Sequence, residues 1–544
     1  MTNLVIVAGG LGSRLQPLTN KIPKFLVNIG KNTGYVEMVR YWEKQIDFTF
    51  EDASLTVIIH SSYVSLVAEY HKLYFPNISL IIKTVDVADG SAHAIISTCK
   101  HLEGKAVMFT WCDVIPVDNI EVSELGIMHS FRNVVFTNYN GSCRYGLKRA
   151  SGNWVDKVVY KDEAERGGIF GLYYINNFRT QGITGESGQD FVDIIHQYGK
   201  LTEHRLENII DFGDAPKLEH VREKADEARE FNSVQILGDY VLKQATNEQG
   251  LKIIAKEIRW YQTLEELVEL KGAERPSVPR TWVGTDYSGF FMTKVKGVPI
   301  WKAWPKLSNV DRYHVITQVI AQREALFDLG AGVIASNDLM FRPRVIVDVQ
   351  TEAGNKIHDR YNEIKGVIDS FGKVSSVNGQ VLRYSDPKET ITRLTDAIMN
   401  HYKENPPEYG FIHGDLQRSN SMVDLDTMKV SIIDPRGYFG STACYGLADY
   451  DIGKLLYSLS GYDEFNYSKT FHIESIESGD IRFTIPTPSY DGIESIMSNY
   501  FEPIHYAWLA VCFIGLAQYI KNDPVKAVCA HYHGLALAEK FLAS

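Results

Sequence analysis

The sequence predicts an α/β protein with two domains of different architecture. In the first half, short apolar runs alternate with amphipathic stretches, which predicts a mostly parallel sheet with helices on both faces. Glycines follow the first apolar run, where such sheets place a ligand loop. After about residue 225 the order changes to a hairpin, one long helix and a mainly helical remainder. This order predicts a second domain of α+β type.

The elements of the first half follow from their residues. Runs rich in Val, Ile, Leu and Phe predict strands, and apolar positions at helical spacing predict helices. The predicted strands are Leu4–Ala8, Leu55–His60, Ser79–Lys83, Ala106–Thr110 and Asn133–Asn138, and the predicted helices are Tyr35–Gln45, Val64–Tyr74 and a charged connecting helix at Lys217–Glu230.

The second half begins with a predicted hairpin that turns at Gly238 and Asp239. The domain boundaries that we expect are 1–225 and 226–544, with a small lobe at about 226–297 and a helical lobe at about 298–544. The predicted elements are the strands Ser233–Ile236, Tyr240–Gln244, Phe290–Val295 and Val430–Ile433, the long helix Leu251–Leu270 and a buried apolar helix at Ile504–Ile520.

Composition excludes several classes of function. The chain has 544 residues and a formal net charge of -11, which argues against general nucleic-acid binding. Its six cysteines are scattered, so neither a disulfide framework nor a zinc knuckle is expected. No apolar run predicts a membrane span, and the N-terminus lacks the pattern of a signal peptide. We therefore expect a cytoplasmic protein with small-molecule partners; an oligomer remains open.

The first motif runs from Val7 to Lys24 and reads V-A-G-G-L-G-S-R-L-Q-P-L-T-N-K-I-P-K. Glycines allow backbone N–H groups to approach a triphosphate closely. Two cations follow, Arg14 and Lys24, and they match the need to neutralise a leaving pyrophosphate. A tight turn alone would explain the glycines, but it would not explain the two cations.

This motif resembles the signature of the sugar-phosphate nucleotidylyltransferases, which implies a Rossmann-like fold for the first domain. The segments D-G-S-A-H-A, F-T-W-C-D, Tyr145-Gly146, Tyr160-Lys161, Gly168–Tyr173 and I-D-F-G-D-A-P follow in the order of that family. The resemblance covers about the first 220 residues. It departs from the family at Trp111-Cys112 and around Lys161. The resemblance implies nucleotide contacts at Ala8, Gly9, Gly10, Gly12, Ser13, Asp89, Gly90 and Ser91, substrate contacts at Gly146, Lys161 and Gly171, and Mg²⁺ ligands at Asp113 and Asp211, with Asp214 as a competitor for the last role.

The second motif is H-G-D-L-Q-R-S-N at His413 to Asn420, followed by I-I-D-P-R-G at Ile432 to Gly437. An Asn five residues after the Asp has the spacing of a kinase catalytic loop. Asp415 would then accept the proton of the attacking hydroxyl. Asn420 and Asp434 would hold Mg²⁺.

This block resembles the aminoglycoside and choline phosphotransferases, which implies a protein-kinase-like α+β fold for the second domain. The resemblance and the order of elements assign Lys243 and Glu257 to the pair that clamps the α- and β-phosphates of ATP. Arg436 has two readings: it contacts the transferred phosphoryl group or an anionic acceptor, or it pairs with a neighbouring carboxylate such as Asp449 or Asp451.

Together the two motifs predict a bifunctional transferase that uses Mg²⁺, ATP and a second NTP. The second domain would phosphorylate a small sugar or polyol, and the first would attach a nucleotidyl group to that phosphate and release pyrophosphate. The product would be an activated donor for surface polysaccharide synthesis. Two alternatives stay open. One is a choline or ethanolamine kinase joined to a CTP-dependent cytidylyltransferase, and the other is an active first domain with a non-catalytic binding module.

Overall fold

A computed structural model describes residues 2–49, 53–86, 89–128, 132–138, 145–149, 154–160, 166–184, 188–225, 232–283, 288–334, 341–489 and 499–544. The chain forms two compact units. The first contains Met1–Glu227, Lys365–Gly372 and Asn522–Val525, and the second contains Ala228–Ile364, Lys373–Lys521 and Lys526–Ser544.

The secondary structure up to residue 225 alternates strands and helices. Its strands are β1 (Thr2–Ala8), β2 (Leu55–His60), β3 (Leu80–Val85), β4 (Ala106–Trp111), β5 (Val114–Pro116), β6 (Asn133–Asn138), β7 (Tyr145–Arg149), β8 (Trp154–Tyr160), β9 (Arg166–Ile175), β10 (Leu201–Arg205) and β11 (Ile209–Asp211). Its helices are α1 (Gly34–Glu43), α2 (Val64–Tyr74), α3 (Gly90–Thr98), α4 (Val122–Met128), α5 (Phe191–Ile194) and α6 (Ala215–Ala225).

A nine-stranded sheet with the order β3-β2-β1-β4-β9-β6-β10-β8-β7 forms the centre of the first unit. The strands β3, β2, β1 and β4 pair in parallel, and β9 joins β4 to β6 in antiparallel register. All seven residues of β1 are buried, which explains why its sequence is a continuous apolar run rather than an alternating one. The sheet is therefore parallel-rich on the side that carries the glycine loop, as the alternation predicted. The other side is mixed, since β6 and β10 pair in parallel between antiparallel neighbours.

The predicted elements of this unit are confirmed with small shifts at their ends. Three segments coincide with their predictions, namely β2, β6 and α2. The third strand lies at Leu80–Val85 rather than Ser79–Lys83, and the connecting helix spans Ala215–Ala225 within the described residues. Propensity leaves such ends loosely defined, because the terminal residues of an element contribute little to its hydrogen bonding.

The remaining elements build the second unit. Its strands are β12 (Asn232–Leu237), β13 (Tyr240–Ala245), β14 (Thr281–Val283), β15 (Gly289–Thr293), β16 (Val298–Pro299), β17 (Ser376–Val377), β18 (Gln380–Val381), β19 (Tyr409–Phe411), β20 (Ser421–Val423), β21 (Val430–Ile432), β22 (Tyr438–Phe439), β23 (Thr442–Ala443), β24 (Tyr445–Leu447), β25 (Ser475–Glu477) and β26 (Asp480–Arg482). The helices that follow residue 228 are α7 (Glu248–Lys271), α8 (Ile300–Ala303), α9 (Asn309–Gly330), α10 (Phe341–Val349), α11 (Lys356–Asp369), α12 (Pro387–Glu404), α13 (Ala448–Tyr457), α14 (Asp463–Tyr467), α15 (Pro503–Tyr519) and α16 (Pro524–Ala543).

The small lobe consists of the sheet β12-β13-β15-β14 and the helix α7. The predicted hairpin is confirmed, because β12 and β13 pair in antiparallel register from Asn232 opposite Ala245 to Leu237 opposite Tyr240. The side chain of Asn247 caps α7 by accepting from the Gly250 N–H, and Gly272 ends the helix in the left-handed region.

The buried face of α7 carries an acidic residue. Ile254, Ile258 and Tyr261 lie on this face at helical spacing, and Glu257 lies in phase with them and is only 2% exposed. Because an isolated buried carboxylate is costly, this position demands a cationic partner.

The helical lobe contains the helices after α7. Its α15 is almost wholly buried, as predicted for the apolar run at 504–520. Among the described residues no helix is both long and apolar enough to cross a membrane. The five cysteines in the described part of the chain are all free.

Arg418, within the second sequence motif, is fully buried. Its guanidinium donates to the Ser458 carbonyl oxygen at 2.8 Å and to Glu464 Oε2 at 2.6 Å, and it lies 3.4 Å from Asp463. These contacts fasten the loop after β19 to the end of α13 and to α14. Removing this cation would leave Asp463, also fully buried, without a counter-charge.

We expect Arg418→Leu to lower the free energy of unfolding of the second unit by about 3 to 5 kcal/mol, because it breaks a buried ion pair. Denaturant unfolding measures this change. The same substitution at Arg393, an exposed residue on α12 that pairs with Glu389, serves as the control. It should change stability by no more than about 0.5 kcal/mol, and equal effects of the two substitutions would contradict the anchoring role of Arg418.

Candidate active sites

A cavity of about 520 Å³ opens where β1 ends. The chain leaves β1 at Ala8, and Gly12 adopts the left-handed region with φ of 67°. The Thr19 hydroxyl donates to the Gly12 carbonyl oxygen at 2.8 Å and holds this loop in place. The predicted residues that line the cavity are Ala8, Gly9, Gly10, Gly12, Ser13, Arg14, Lys24, Asp89, Gly90, Ser91 and Asp113.

Lys24 is buried and connects two acidic segments. Its ammonium donates to Asp113 Oδ2 at 2.5 Å and to the Gly213 carbonyl oxygen at 2.6 Å. We expected Lys24 to neutralise pyrophosphate directly. Its observed partners instead give it a second task, which is to hold Asp113 against the Gly213 turn; contact with pyrophosphate stays a prediction.

Asp211 lies beside Asp113 because β11 pairs with β5, the strand that follows Asp113. A Cβ built on Gly213 would lie 3.0 Å from an oxygen of each carboxylate, so the two carboxylates lie close together. Asp113 lines the cavity at the end of β1, whereas Asp211 lines a separate cavity. Lys217 donates to Asp211 Oδ2 at 2.6 Å, and it is farther, at 3.8 Å, from the competitor Asp214.

These two carboxylates fit a Mg²⁺ site that the substrate completes. Mg²⁺ in nucleotide enzymes takes one or two carboxylates together with phosphate oxygens and water. In the described part of the chain, no group of three or more His, Cys, Asp or Glu side chains is arranged to hold a metal ion without such help.

The segment Asp89–Ser91 enters the cavity at the start of α3. Gly90 has φ of 84°, and a Cβ at this position would lie 2.2 Å from the Gln189 carbonyl oxygen. The Ser91 hydroxyl accepts from the Phe191 N–H at 2.8 Å. Ser91 therefore anchors α3 to α5, and only glycine fits at position 90.

The predicted substrate contacts of the first unit that the structure describes, Gly146 and Gly171, lie on strands beyond β4 in the sheet order. Gly146 belongs to β7, where it pairs with Val159 and Gly168, and it does not line the cavity. Gly171 has φ of 90°, and a Cβ there would lie 2.5 Å from the indole of Trp111. Trp111 itself lines the cavity. Lys161 lies outside the described residues.

A second cavity, of about 650 Å³, lies in the second unit and gathers every predicted residue of that unit: Lys243, Glu257, Asp415, Asn420, Asp434 and Arg436. Lys243 lies on β13 and donates to Glu257 Oε2 at 2.7 Å and to Asp434 Oδ1 at 3.1 Å. Burial by itself would lower the pKa of Lys243, but Asp434 and Glu257 together raise that pKa above its ordinary value. The lysine is therefore charged.

The catalytic-loop pair forms as the spacing predicted. The Asn420 amide donates to Asp415 Oδ2 at 3.1 Å and to the Asp415 carbonyl oxygen at 2.9 Å. Lys454 on α13 lies 3.0 Å from Asp415 Oδ1. Burial would raise the pKa of Asp415, but Lys454 and, less strongly, His413 and Arg436 lower it below its ordinary value. Asp415 is thus an ionised carboxylate at neutral pH.

Asp451 sets the backbone of this loop. Its two carboxylate oxygens accept from the N–H groups of His413 at 2.8 Å and Gly414 at 2.7 Å. The buried His413 ring in turn contacts the Ile433 carbonyl oxygen at 2.9 Å, next to Asp434. The loop with the predicted base and the strand end with the predicted metal ligand are therefore tied together.

Asp434 and Asn420 fit a Mg²⁺ ion in the same way as the first pair. One carboxylate and one amide oxygen are hard ligands, and nucleotide phosphates would complete the coordination.

Arg436 pairs with a carboxylate, but neither predicted partner is the correct one. It donates to Glu352 Oε1 at 2.6 Å and to the Tyr450 hydroxyl at 2.6 Å. Asp449 binds Tyr402 instead, and Asp451 binds the loop amides. The prediction failed because the partner lies 84 residues earlier in the chain, in the π-helical segment Gln350–Asn355.

Sequence reasoning missed five cations that line this cavity, namely Lys252, Lys256, Lys356, Arg360 and Lys454. A signal existed for Lys454, because it follows Asp451 by one helical turn in the otherwise largely apolar segment of α13. No local pattern marks Lys356 or Arg360, which occupy a mixed and highly charged helix.

Comparison with protein families assigns both units. Residues 3–129 match the nucleotidyl transferase family, and residues 225–467 match the phosphotransferase enzyme family. A comparison with curated proteins finds no match.

Solved structures similar to the chain include three that each cover about two fifths of it. A candidate glucose-1-phosphate thymidylyltransferase from Bacillus anthracis is 19% identical, covers 42% of this chain and 97% of its own, and has a TM-score of 0.37. HddC from Yersinia pseudotuberculosis is 20% identical, covers 41% of this chain and 99% of its own, and has a TM-score of 0.34. The CTP:phosphocholine cytidylyltransferase LicC from Streptococcus pneumoniae is 18% identical, covers 41% of this chain and 98% of its own, and has a TM-score of 0.32.

The glycine loop with its paired carboxylates and the lysine–aspartate cavity of the second unit agree with these family assignments. The chain therefore joins a domain of the nucleotidyl transferase family to a domain of the phosphotransferase enzyme family, and it is a bifunctional transferase.

Proposed function

We propose that the two units catalyse consecutive steps. The second unit transfers the γ-phosphoryl group of ATP to a hydroxyl group of a small sugar or polyol. The first unit then joins that phosphate to the nucleotidyl group of a second NTP and releases pyrophosphate, which gives an activated donor for surface polysaccharide synthesis. One observation carries the proposal: the second unit brings its complete predicted set, Lys243, Glu257, Asp415, Asn420 and Asp434, around one cavity.

In the phosphorylation step, the acceptor hydroxyl oxygen attacks the γ-phosphorus, and the bond from that phosphorus to the β-γ bridging oxygen breaks, so that ADP leaves. Asp415 takes the hydroxyl proton, because it is ionised and its second oxygen is held by Asn420. Lys243, which Glu257 orients, neutralises the α- and β-phosphates.

In the nucleotidyl step, a phosphate oxygen of the phosphorylated acceptor attacks the α-phosphorus of the NTP, and pyrophosphate leaves. No protein nucleophile is needed, so this chain contributes position and charge. The glycine loop holds the triphosphate, and Arg14, whose side chain is exposed at the cavity, faces the leaving group.

Mg²⁺ held by Asp113 and Asp211 in the first unit, and by Asn420 and Asp434 in the second, would supply charge neutralisation for the phosphates. The presence of these ligands in the second unit argues against a non-catalytic binding module.

Two substitutions test the assignment of the two reactions. We expect Asp415→Asn to abolish ADP formation from ATP and a panel of sugars and polyols, while pyrophosphate release from NTP and sugar phosphates continues at its original rate. Asp113→Asn should do the reverse, because it removes a metal ligand of the other unit. Each variant is therefore the control for the other, and both products are measured with the full chain.

Two results would contradict the proposal. If Asp415→Asn still forms ADP, the base is wrongly assigned. If no NTP and sugar phosphate pair releases pyrophosphate in the wild-type protein, the proposed second step is wrong.

Gly90 provides a test of the nucleotide cavity. We expect Gly90→Ala to weaken NTP binding by about tenfold or more, because its Cβ would push α3 away from Gln189. Gly104→Ala is the matched control: φ is 76°, a similar left-handed value, but a Cβ there meets no atom within 4 Å. Calorimetric titration with NTP and Mg²⁺ measures both, and equal losses would show that backbone strain alone is responsible.

The charge on Lys454 should set the pH at which the phosphorylation rate falls on the acidic side of its pH profile. Lys454→Met removes the main cause that lowers the pKa of Asp415, so this pKa rises and the base is protonated at higher pH. We expect the acidic limb of kcat/KM to move to higher pH. Lys454→Arg and Lys540→Met, an exposed lysine on α16, should leave the limb in place.

A further inference from the structure

Four cations from the helical lobe line the cavity that contains Asp415: Lys356, Arg360, Arg436 and Lys454. We call these four residues the cationic wall. Lys454 contacts Asp415 itself, whereas the small-lobe cation Lys243 contacts Asp434. Because Asp415 is the proposed base, the cationic wall borders the place where the acceptor hydroxyl must lie.

The cationic wall has fewer carboxylate partners than cations. Glu352 serves two of its members, since its oxygens lie 2.6 Å from Arg436 Nη2 and 2.8 Å from Lys356 Nζ. Asp415 serves Lys454. Arg360 donates to the Gly515 carbonyl oxygen at 2.6 Å and makes no ion pair among the described residues. Three of the four cations thus share two carboxylates, and Arg360 pairs with no carboxylate in the described part of the chain.

A nearby acidic residue, Glu363, offsets this excess only weakly: burial raises its pKa, Lys521 and Gln518 lower it most, and the charge of Arg360 lowers it less. Glu363, on the same helix as Arg360, has its carboxylate oxygens bound by Lys521 at 2.5 Å and by Gln518 at 2.9 Å. The arrangement affects Lys356 directly. Burial lowers the pKa of Lys356, and the charges of Arg436 and Arg360 lower it further against the opposing pull of Glu352, to about 7. A bound anion would relieve this repulsion.

The rest of the cavity lining suits a small hydroxylated molecule. Tyr457 and Tyr462 stack with their ring centroids 4.3 Å apart, and both line the cavity with Leu516. Aromatic faces with hydroxyl groups pack against a carbon skeleton and bond to its polar groups. Between α10 and α11 the chain adopts π-helical geometry at Gln350–Asn355. This segment places Glu352 between Arg436 and Lys356.

We propose that the acceptor of the second unit is an anion, namely a small hydroxylated molecule that carries a carboxylate or a phosphate monoester, and that Arg360 and Lys356 bind its negative group. The inference rests on the proposed phosphorylation step and narrows its substrate class. A cationic amino alcohol such as choline would meet like charges here, at a cost that a paired site would not impose.

The test compares matched acceptors with the full chain, ATP and Mg²⁺, and measures ADP. One series is glycerol, glycerate and glycerol 3-phosphate; a second is ribitol and ribonate; choline and ethanolamine represent the cations. We expect kcat/KM for the anionic member to exceed that of its neutral counterpart by about tenfold or more. The carboxylate and phosphate arms then show which anion is preferred.

Arg360→Gln separates acceptor binding from ATP binding. It should raise KM for the preferred anionic acceptor by about tenfold and leave KM for ATP within about twofold. Arg393→Gln removes the same charge from an exposed site outside the cavity and should change neither value.

Three outcomes would overturn the inference. Preference for neutral or cationic acceptors would refute it and leave the kinase assignment intact. A rise in KM for ATP instead of the acceptor would assign the cationic wall to the nucleotide. If no acceptor yields ADP above the level of Asp415→Asn, the proposed phosphorylation step fails together with the inference.

Discussion

Charge pairing at low solvent exposure is the constraint on which both sites depend. Lys243 and Glu257 are almost fully buried, and each would be unstable in its charged form without the other. Their contact joins β13 to α7, and the additional contact of Lys243 with Asp434 joins the small lobe to the loop after β21. The same ion pairs that compensate buried charge therefore also fix the distances between groups that act on phosphate.

The first unit also pairs its buried charges, but through different elements. Lys24, from the segment after the glycine loop, holds Asp113 and the Gly213 turn together. In both units a lysine contacts an aspartate that is expected to bind metal, so the carboxylate is held in position without the ion. Backbone amides complete the arrangement in the second unit, where Asp451 fixes the loop before Asp415. Such preorganisation means that little structure has to be ordered when a nucleotide binds.

The sequence singled out most of the candidate residues that line the two cavities, because these residues follow strands or occur within short motifs. Glu257 could be predicted as buried, since it is in phase with the apolar face of α7. What the sequence did not reveal is pairing over long separations. The partner of Arg436 is Glu352, and nothing in the local pattern of either residue indicates the other. The excess charge of the cationic wall is likewise a property of three-dimensional packing, because its members come from separate helices and a loop.

The contact between Trp111 and Gly171 links two positions that lie on neighbouring strands of the first unit. The indole occupies the volume that a side chain at position 171 would need, and the left-handed backbone of Gly171 favours glycine there independently. A substitution at 171 alone would displace the indole, and loss of the indole alone would leave a void at the edge of the cavity. The two positions are therefore coupled in evolution. A change in the shape of the cavity at one position favours a compensating change at the other, because either change alone gives a poorly packed intermediate.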